Sequence, residues 1–272
     1  MIGELERVST SETAYTAMPP EDMLAMAEGA GISVLSAAPR VSPTVIGQAM
    51  PEVEALWLAG AHHLEVGCGV GNSLLGIVMT FPKVTAVGIE IEALVAAEAD
   101  RRADLLGLSD HVALRCMDAG DLQDREMYDT IQWSQFFFPE TSRPAVLQAM
   151  RRALKPGGYL LMPWLGSISD DTEPRRGAMF SMTLQALRAG GISFLPFLND
   201  FLGDNAGRRK KERRFASLQR LLFRRWGVPV RSLSALSSEI ENSGLRVVRT
   251  MPTPASQFAL TRGFLLAQRE AG

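Results

Sequence analysis

From His62 onward the chain alternates between short apolar runs and longer stretches whose apolar residues recur at helical spacing. Residues His62 to Val66, Val84 to Ile89, Val112 to Cys116, Tyr128 to Trp133 and Tyr159 to Trp164 read as strands. Between them, Ser73 to Phe81, Ala93 to Gly107 and Ser142 to Leu154 read as helices, the last ended by Lys155-Pro156-Gly157-Gly158. Only a short turn, Asp118 to Asp124, separates the third strand from the fourth. Strand–helix units of this length predict an α/β fold, with helices on both faces of a mostly parallel, doubly wound sheet. Ligands in such sheets lie at the carboxyl ends of the strands.

The flanks break this rhythm. Residues 1 to about 19 read as irregular, and Pro19-Pro20-Glu21-Asp22 then reads as a helix start. A second helix is predicted from about Pro43 through Trp57, carrying Val45, Ile46, Met50, Val53 and Leu56. Residues 1–44 are expected to form an N-terminal helical lid, from which Tyr15 reaches inward, and residues 45–165 the core. Residues 166–230 show no strand and end in a basic helical stretch, which suggests a helical cap inserted at the carboxyl edge. Residues 231–272 return to the core with a helix, Ser234 to Ser243 (capped by Ser232 or Ser234), and two apolar runs, Leu245 to Met251 and Phe258 to Gln268. Their link is too short for a parallel crossover, so they should pair antiparallel and bring the sheet to seven strands.

Composition narrows the class. With 272 residues and 46% hydrophobic content the chain can bury a full core, and its formal charge of −2 gives no electrostatic case for nucleic acid. Two cysteines, Cys68 and Cys116, far apart in sequence, suit reduced thiols in a cytoplasm better than a disulfide framework or a metal site. No apolar run reaches membrane-spanning length, and the polar, acidic start does not read as a signal peptide. A cytoplasmic protein is expected, with a homodimer left open.

The stretch Leu64-Glu65-Val66-Gly67-Cys68-Gly69-Val70-Gly71-Asn72 carries the chemistry. A strand ends in a glycine turn that opens a helix, so a ligand can lie against bare backbone and meet the free N–H groups of the helix. The spacing is near the dinucleotide fingerprint, but the third glycine comes one residue early and Asn72 holds its place. Glu65 would repel a pyrophosphate, whereas it can order the loop or meet an ammonium group.

These residues resemble a class I S-adenosylmethionine-dependent methyltransferase, clearly over Val45 to Leu165 and more loosely over Ser234 to Gln268. LEVGCGVGN is similar to the family's first motif, with Glu65 in place of the commoner aspartate. VTAVGIEIE is similar to the second, and RCMDAGDL to the third; ALKPGGYLL matches the turn before the fifth strand. The resemblance implies S-adenosylmethionine as cofactor and S-adenosylhomocysteine as product. It places Glu65, Gly67, Cys68, Gly69, Gly71 and Asn72 around the methionine and ribose, with Glu90 accepting from both ribose hydroxyls. Ile91 would lie on the adenine face, Asp118 would accept from the adenine amino group and Ala119 would offer its N–H. The plainer alternatives are that Glu90 is a solvated strand end and Asp118 a helix cap.

The acceptor is less legible. Histidines 62, 63 and 111 fall at the amino ends of strands and read as structural. After the fourth strand, Trp133-Ser134-Gln135-Phe136-Phe137-Phe138-Pro139 lacks the Asp/Asn-Pro-Pro-aromatic signature of enzymes that methylate exocyclic amines of DNA bases. It also lacks the metal-binding aspartate that catechol-type members place at Ser134. Ser134 is expected at the cofactor; Trp133, Gln135, Phe136, Trp164 and Tyr15 are candidates for the substrate pocket. In the predicted cap, Asp170, Asp171 or Glu173 could act as base and Arg175 or Arg176 could hold a substrate carboxylate. The run Arg208 to Arg214 reads as the solvated face of a cap helix. The expected reaction is methyl transfer to a small molecule through a carboxylate, thioether, amine or stabilised carbon. A phenolic O-methyltransferase is the close rival, and a cofactor-binding fold without transfer is another.

Overall fold

The computed structural model describes residues 19–21, 23–24, 46–47, 49–165, 231–252 and 261–271, without the side chains of residues 136, 165, 252, 261 and 262. In order, the elements are α1 (Pro51–Ala59), β1 (His62–Val66), α2 (Asn72–Thr80), β2 (Thr85–Glu90), α3 (Ala93–Leu105) and β3 (Val112–Cys116). A 3-10 turn (Ala119–Asp121) leads to β4 (Tyr128–Trp133), a second 3-10 turn (Gln135–Phe137), α4 (Arg143–Ala153) and β5 (Leu154–Leu165). Then come α5 (Leu233–Asn242), β6 (Arg246–Pro252) and β7 (Thr261–Gln268).

One seven-stranded sheet runs in the order β3-β2-β1-β4-β5-β7-β6. The first five strands are mutually parallel, and β7 lies antiparallel between β5 and β6. This is the predicted doubly wound architecture with its antiparallel C-terminal pair. Strand order reverses between β1 and β4, so the chain leaves their carboxyl ends in opposite directions and opens a crevice there.

Alternation along the strands divides the core between the two faces. Leu64, Val66, Ile131, Trp133, Leu160 and Met162 pack with Val146, Leu147 and Met150 of α4 and Leu236 and Ile240 of α5. On the other face Val84, Ala86, Leu161 and Leu266 pack with Val53 and Trp57 of α1 and Leu74, Leu75 and Ile77 of α2. Both faces are covered, which is why β1 is buried almost throughout and why its polar residues, His63 and Glu65, are buried too.

Two expectations are corrected. The helix predicted from Pro43 through Trp57 is interrupted within its described part: residues 46, 47 and 49 are helical, but Met50 turns to φ −129°, ψ 73°. Proline disfavours the helical region for the residue before it, and Pro51 then opens α1 as its first residue. β5 does not wait for Tyr159. It begins at Leu154 directly after α4, and the Lys155-Pro156-Gly157-Gly158 stretch is absorbed as an irregularity between the pairs Tyr128–Leu154 and Thr130–Tyr159. Arg269 closes that helix end by donating to the carbonyls of Arg151, Arg152 and Leu154. A smaller difference is that α3 stops at Leu105, short of Gly107, and that Ser232 is the residue that caps α5, its hydroxyl accepting from the Ala235 N–H.

Candidate functional site

The glycine turn sits at the carboxyl end of β1, beside the crevice. Gly67, Gly69 and Gly71 all have positive φ, a conformation that side chains resist. Their surroundings differ. A methyl group on Gly67 would meet the ring of Phe138 at 3.0 Å, whereas one on Gly69 would meet nothing within 4 Å. The Gly69 side of the turn is therefore open and backbone-lined. Gly71 caps α2, which places the first N–H groups of that helix at the turn.

Glu90 at the end of β2 secures this turn. Its buried carboxylate accepts from Gly69 N–H at 3.0 Å through Oε2, and from Ile91 and Glu92 N–H at 2.9 and 3.1 Å through Oε1. Burial pushes its pKa up, and these three backbone donors pull it back down. Each carboxylate oxygen can accept more than one hydrogen bond, so acceptor capacity for hydroxyls remains. Immediately beyond, Ile91 is 60% exposed, an apolar platform at the lip. The end of β3 faces it: Cys116 is exposed and Ala119 buried, and exposed Asp118 accepts from Gly120 N–H through Oδ1 at 2.8 Å. Asp118 thus caps the 3-10 turn, as the plainer reading had it, while standing at the lip. Asn72, at the start of α2, accepts from Arg102 of α3 at 3.2 Å.

Glu65 lies deeper. Gln132, its partner across β1 and β4, donates to Glu65 Oε1 at 3.3 Å and to Ser73 Oγ at 2.8 Å. Among the described residues, Glu65 Oε2 and Gln132 Oε1 are buried with no hydrogen-bond partner. Burial raises the Glu65 pKa to about 8, opposed by the Leu74 N–H and the Gln132 amide. An orphaned buried acceptor below an open glycine turn fits a ligand with a cationic donor. Cys68 is also buried in the turn, its thiol pushed up by burial and by the carboxylates of Glu65 and Glu90.

The fourth strand supplies the opposite wall. Ser134 N–H donates to Val66 O at 3.2 Å, which fastens the post-β4 turn to β1. Phe138 packs edge-on against Trp133, with ring centres 5.5 Å apart, and covers Gly67. Gln135 does not offer its amide to the crevice: Oε1 accepts from Arg143 at 2.8 Å and Nε2 donates to Pro163 O at 3.4 Å. Trp133 is wholly buried; Trp164 is half-buried at the end of β5, and neither indole N–H has a partner among the described residues. Tyr15, the cap residues Asp170, Asp171, Glu173, Arg175 and Arg176 and the basic run 208–214 lie outside the described residues, as does the side chain of Phe136.

The histidines are at the opposite edge from the glycine turn. His63 Nδ1 lies 2.8 Å from Thr130 Oγ1, which also accepts from Trp57 Nε1, so the ring is held in a buried polar cluster shared by α1, β1 and β4. Burial depresses its pKa to about 3, with His62 adding to the effect. Sequence reading missed Gln132 and Arg143. Gln132 could have been found, because alternation puts it on the same buried face as Glu65; nothing in the sequence marks Arg143 as buried.

Crevice, glycine turn and acidic strand ends together form, in an α/β domain, a site with the features that a nucleoside-type cofactor requires. Residues 64–158 match the family model of a methyltransferase domain. The chain is 30% identical over 114 residues to a tRNA (guanine-N(7)-)-methyltransferase of Prochlorococcus marinus, 37% of this chain and 48% of that protein. Its fold is similar to the mitomycin 7-O-methyltransferase MmcR (TM-score 0.55, 20% identity, 85% of this chain and 54% of that one). It is also similar to the neocarzinostatin-biosynthesis O-methyltransferase NcsB1, solved with S-adenosylhomocysteine and 1,4-dihydroxy-2-naphthoic acid (TM-score 0.52, 15% identity, 84% and 53%). The chain spans less than half the length of the curated relatives it matches.

Proposed function

We propose that this protein binds S-adenosylmethionine in the β1–β4 crevice and transfers its methyl group to a small-molecule acceptor. The observation that carries this reading is the Glu90–Gly69 bond beneath an open, backbone-lined turn, with Glu65 Oε2 below it unpartnered among the described residues. Glu90 would hold the ribose hydroxyls, Ile91 the adenine face, Asp118 and Ala119 the adenine edge, and Glu65 the cationic end. The cofactor supplies a methyl group already activated on a sulfonium, so this chain's share of the work is alignment and exclusion of water.

Among the described residues, no histidine stands near the glycine turn to act as base. That favours an acceptor that reacts as it stands: a carboxylate, thioether, amine or stabilised carbon. A phenolic oxygen is the second reading, supported by the fold likeness to two O-methyltransferases and served by a base from the proposed cap, residues 166–230. A small molecule is favoured over nucleic acid by the net charge of −2. The free thiols Cys68 and Cys116 suit a cytoplasmic setting, and among the described residues no helix is long and apolar enough to cross a membrane.

The test is incubation with S-adenosylmethionine and a panel of carboxylate, thioether, amine and phenol acceptors, followed by mass spectrometry. Acceptor-dependent formation of S-adenosylhomocysteine is expected. Cofactor binding with no S-adenosylhomocysteine from any acceptor class would contradict transfer and favour a binding-only fold.

A further inference from the structure

Arg143 opens α4 and has no exposed surface, yet each arm of its guanidinium is engaged. Nε and Nη2 donate to the two oxygens of Glu239 on α5 at 2.7 and 2.5 Å, 96 residues away. Nη1 donates to both the backbone carbonyl and the side-chain carbonyl of Gln135, each at 2.8 Å. The guanidinium carbon lies 4.8 Å from the centre of the Trp133 ring.

A charge in this position is expensive, and an apolar residue of similar volume would pack at least as well. What only an arginine provides is a planar fork that meets a carboxylate on one side and two oxygens of a single residue on the other. Those two oxygens belong to the first residue of the post-β4 turn. Gln135 passes the constraint on to β5 through Pro163 O, and three residues later Phe138 packs over Gly67. Ser134, just before Gln135, is tied to the end of β1. The fork therefore fixes the wall that stands against the glycine turn.

We propose that Arg143, clamped by Glu239, is a positioning residue for the cofactor site, setting the Ser134–Phe138 wall against the glycine turn. The proposal rests on the reading of that turn as the S-adenosylmethionine site. Arg231 extends the arrangement: it pairs with Glu140, just past the wall, and lies 4.0 Å from Glu239. Helix α5 thus reaches the cofactor wall through alternating charges, Glu140, Arg231, Glu239 and Arg143, rather than through apolar packing alone.

The experiment is calorimetric titration of S-adenosylhomocysteine into wild type, Glu239→Gln, Arg143→Lys and Ile240→Val, with the melting temperature of each. Glu239→Gln keeps the shape of the clamp and removes its charge; Arg143→Lys keeps the charge and removes the fork. Each is expected to raise Kd about tenfold, the scale on which displaced positioning groups act. Ile240 is buried in the same α5 interface but outside the clamp. Its valine variant should melt earlier yet bind within about twofold of wild type, as an uncoupled site does. Wild-type affinity in both clamp variants would overturn the proposal. An equal loss in Ile240→Val would also overturn it, reducing the clamp to a structural prop. Failure of wild type itself to bind would instead remove the cofactor reading, and this proposal with it.

Discussion

Glu90 Oε2 accepts the backbone N–H of Gly69 at 3.0 Å, so the end of β2 holds the glycine turn from 21 residues away. The same carboxylate binds the N–H groups of Ile91 and Glu92 and so fixes the lip on which Ile91 stands. One side chain orders both the backbone-lined and the apolar parts of the site. Glu90→Ala should weaken S-adenosylhomocysteine binding by about 1.5–3 kcal/mol, the scale of hydrogen bonds to a charged group. Calorimetry reads this directly, and unchanged affinity would remove Glu90 from the ribose position.

Two glycines in this region should respond in opposite ways to the same substitution. A methyl group on Gly69 enters open space at φ +55°, so Gly69→Ala costs the fold only the left-handed strain, about 1–2 kcal/mol. It does obstruct the backbone-lined cradle, so cofactor affinity should fall sharply. On Gly88 in β2 the methyl would lie 2.8 Å from Cys68 Sγ, Leu114 Cδ1 and Leu74 Cδ2. Gly88→Ala should therefore destabilise the fold by about 1–3 kcal/mol through overpacking, read by denaturant unfolding. Unchanged cofactor affinity in Gly69→Ala, or a sharp loss of affinity in a folded Gly88→Ala, would contradict this placement of the open side.

Asp118→Ala removes the carboxylate that caps the 3-10 turn through Gly120 N–H. A lost cap costs about 1 kcal/mol of stability. Cofactor affinity should fall less than in Glu90→Ala. No change in affinity, with the stability loss intact, would leave Asp118 as a cap alone.

Stability should depend on pH with two opposed limbs. Glu65 holds its proton up to about pH 8 in the folded chain but only to 4.5 as a free side chain. Between those values the unfolded chain has lost a proton that the fold keeps, so raising pH destabilises the fold. His63 refuses its proton down to about pH 3, against 6.5 for a free side chain. In that window the unfolded chain gains a proton that the fold excludes, so lowering pH destabilises it. The ligand-free protein should be most stable around pH 5–6, where the two slopes cancel. Melting temperatures from pH 4 to 9 test this, and Glu65→Gln should flatten the alkaline limb. An equally steep limb in that variant would contradict the assignment.

The parts of this molecule written locally were legible from the chain. Alternation in HHLEV and TAVGIE, helix spacing in the segments between strands and the glycine turn gave the sheet and its crevice. The short link after Leu245 to Met251 gave the antiparallel end of the sheet. What escaped depends on distant pairing. Arg143 is defined by Glu239, 96 residues on, and in sequence it is only a charge before a proline. Gln135 looked like a substrate contact because it is polar and follows β4; it turns inward because Arg143 and Pro163 O take up its amide. Met50 escaped for a local reason, since apolar spacing alone ignores what Pro51 does to the residue before it.

The most direct measurement is calorimetric titration of the whole chain with S-adenosylmethionine, S-adenosylhomocysteine and NAD. The account predicts saturable binding of both sulfur ligands, weakened by Glu90→Ala, and no heat from NAD. Binding of NAD, or no binding of either sulfur ligand, would contradict it.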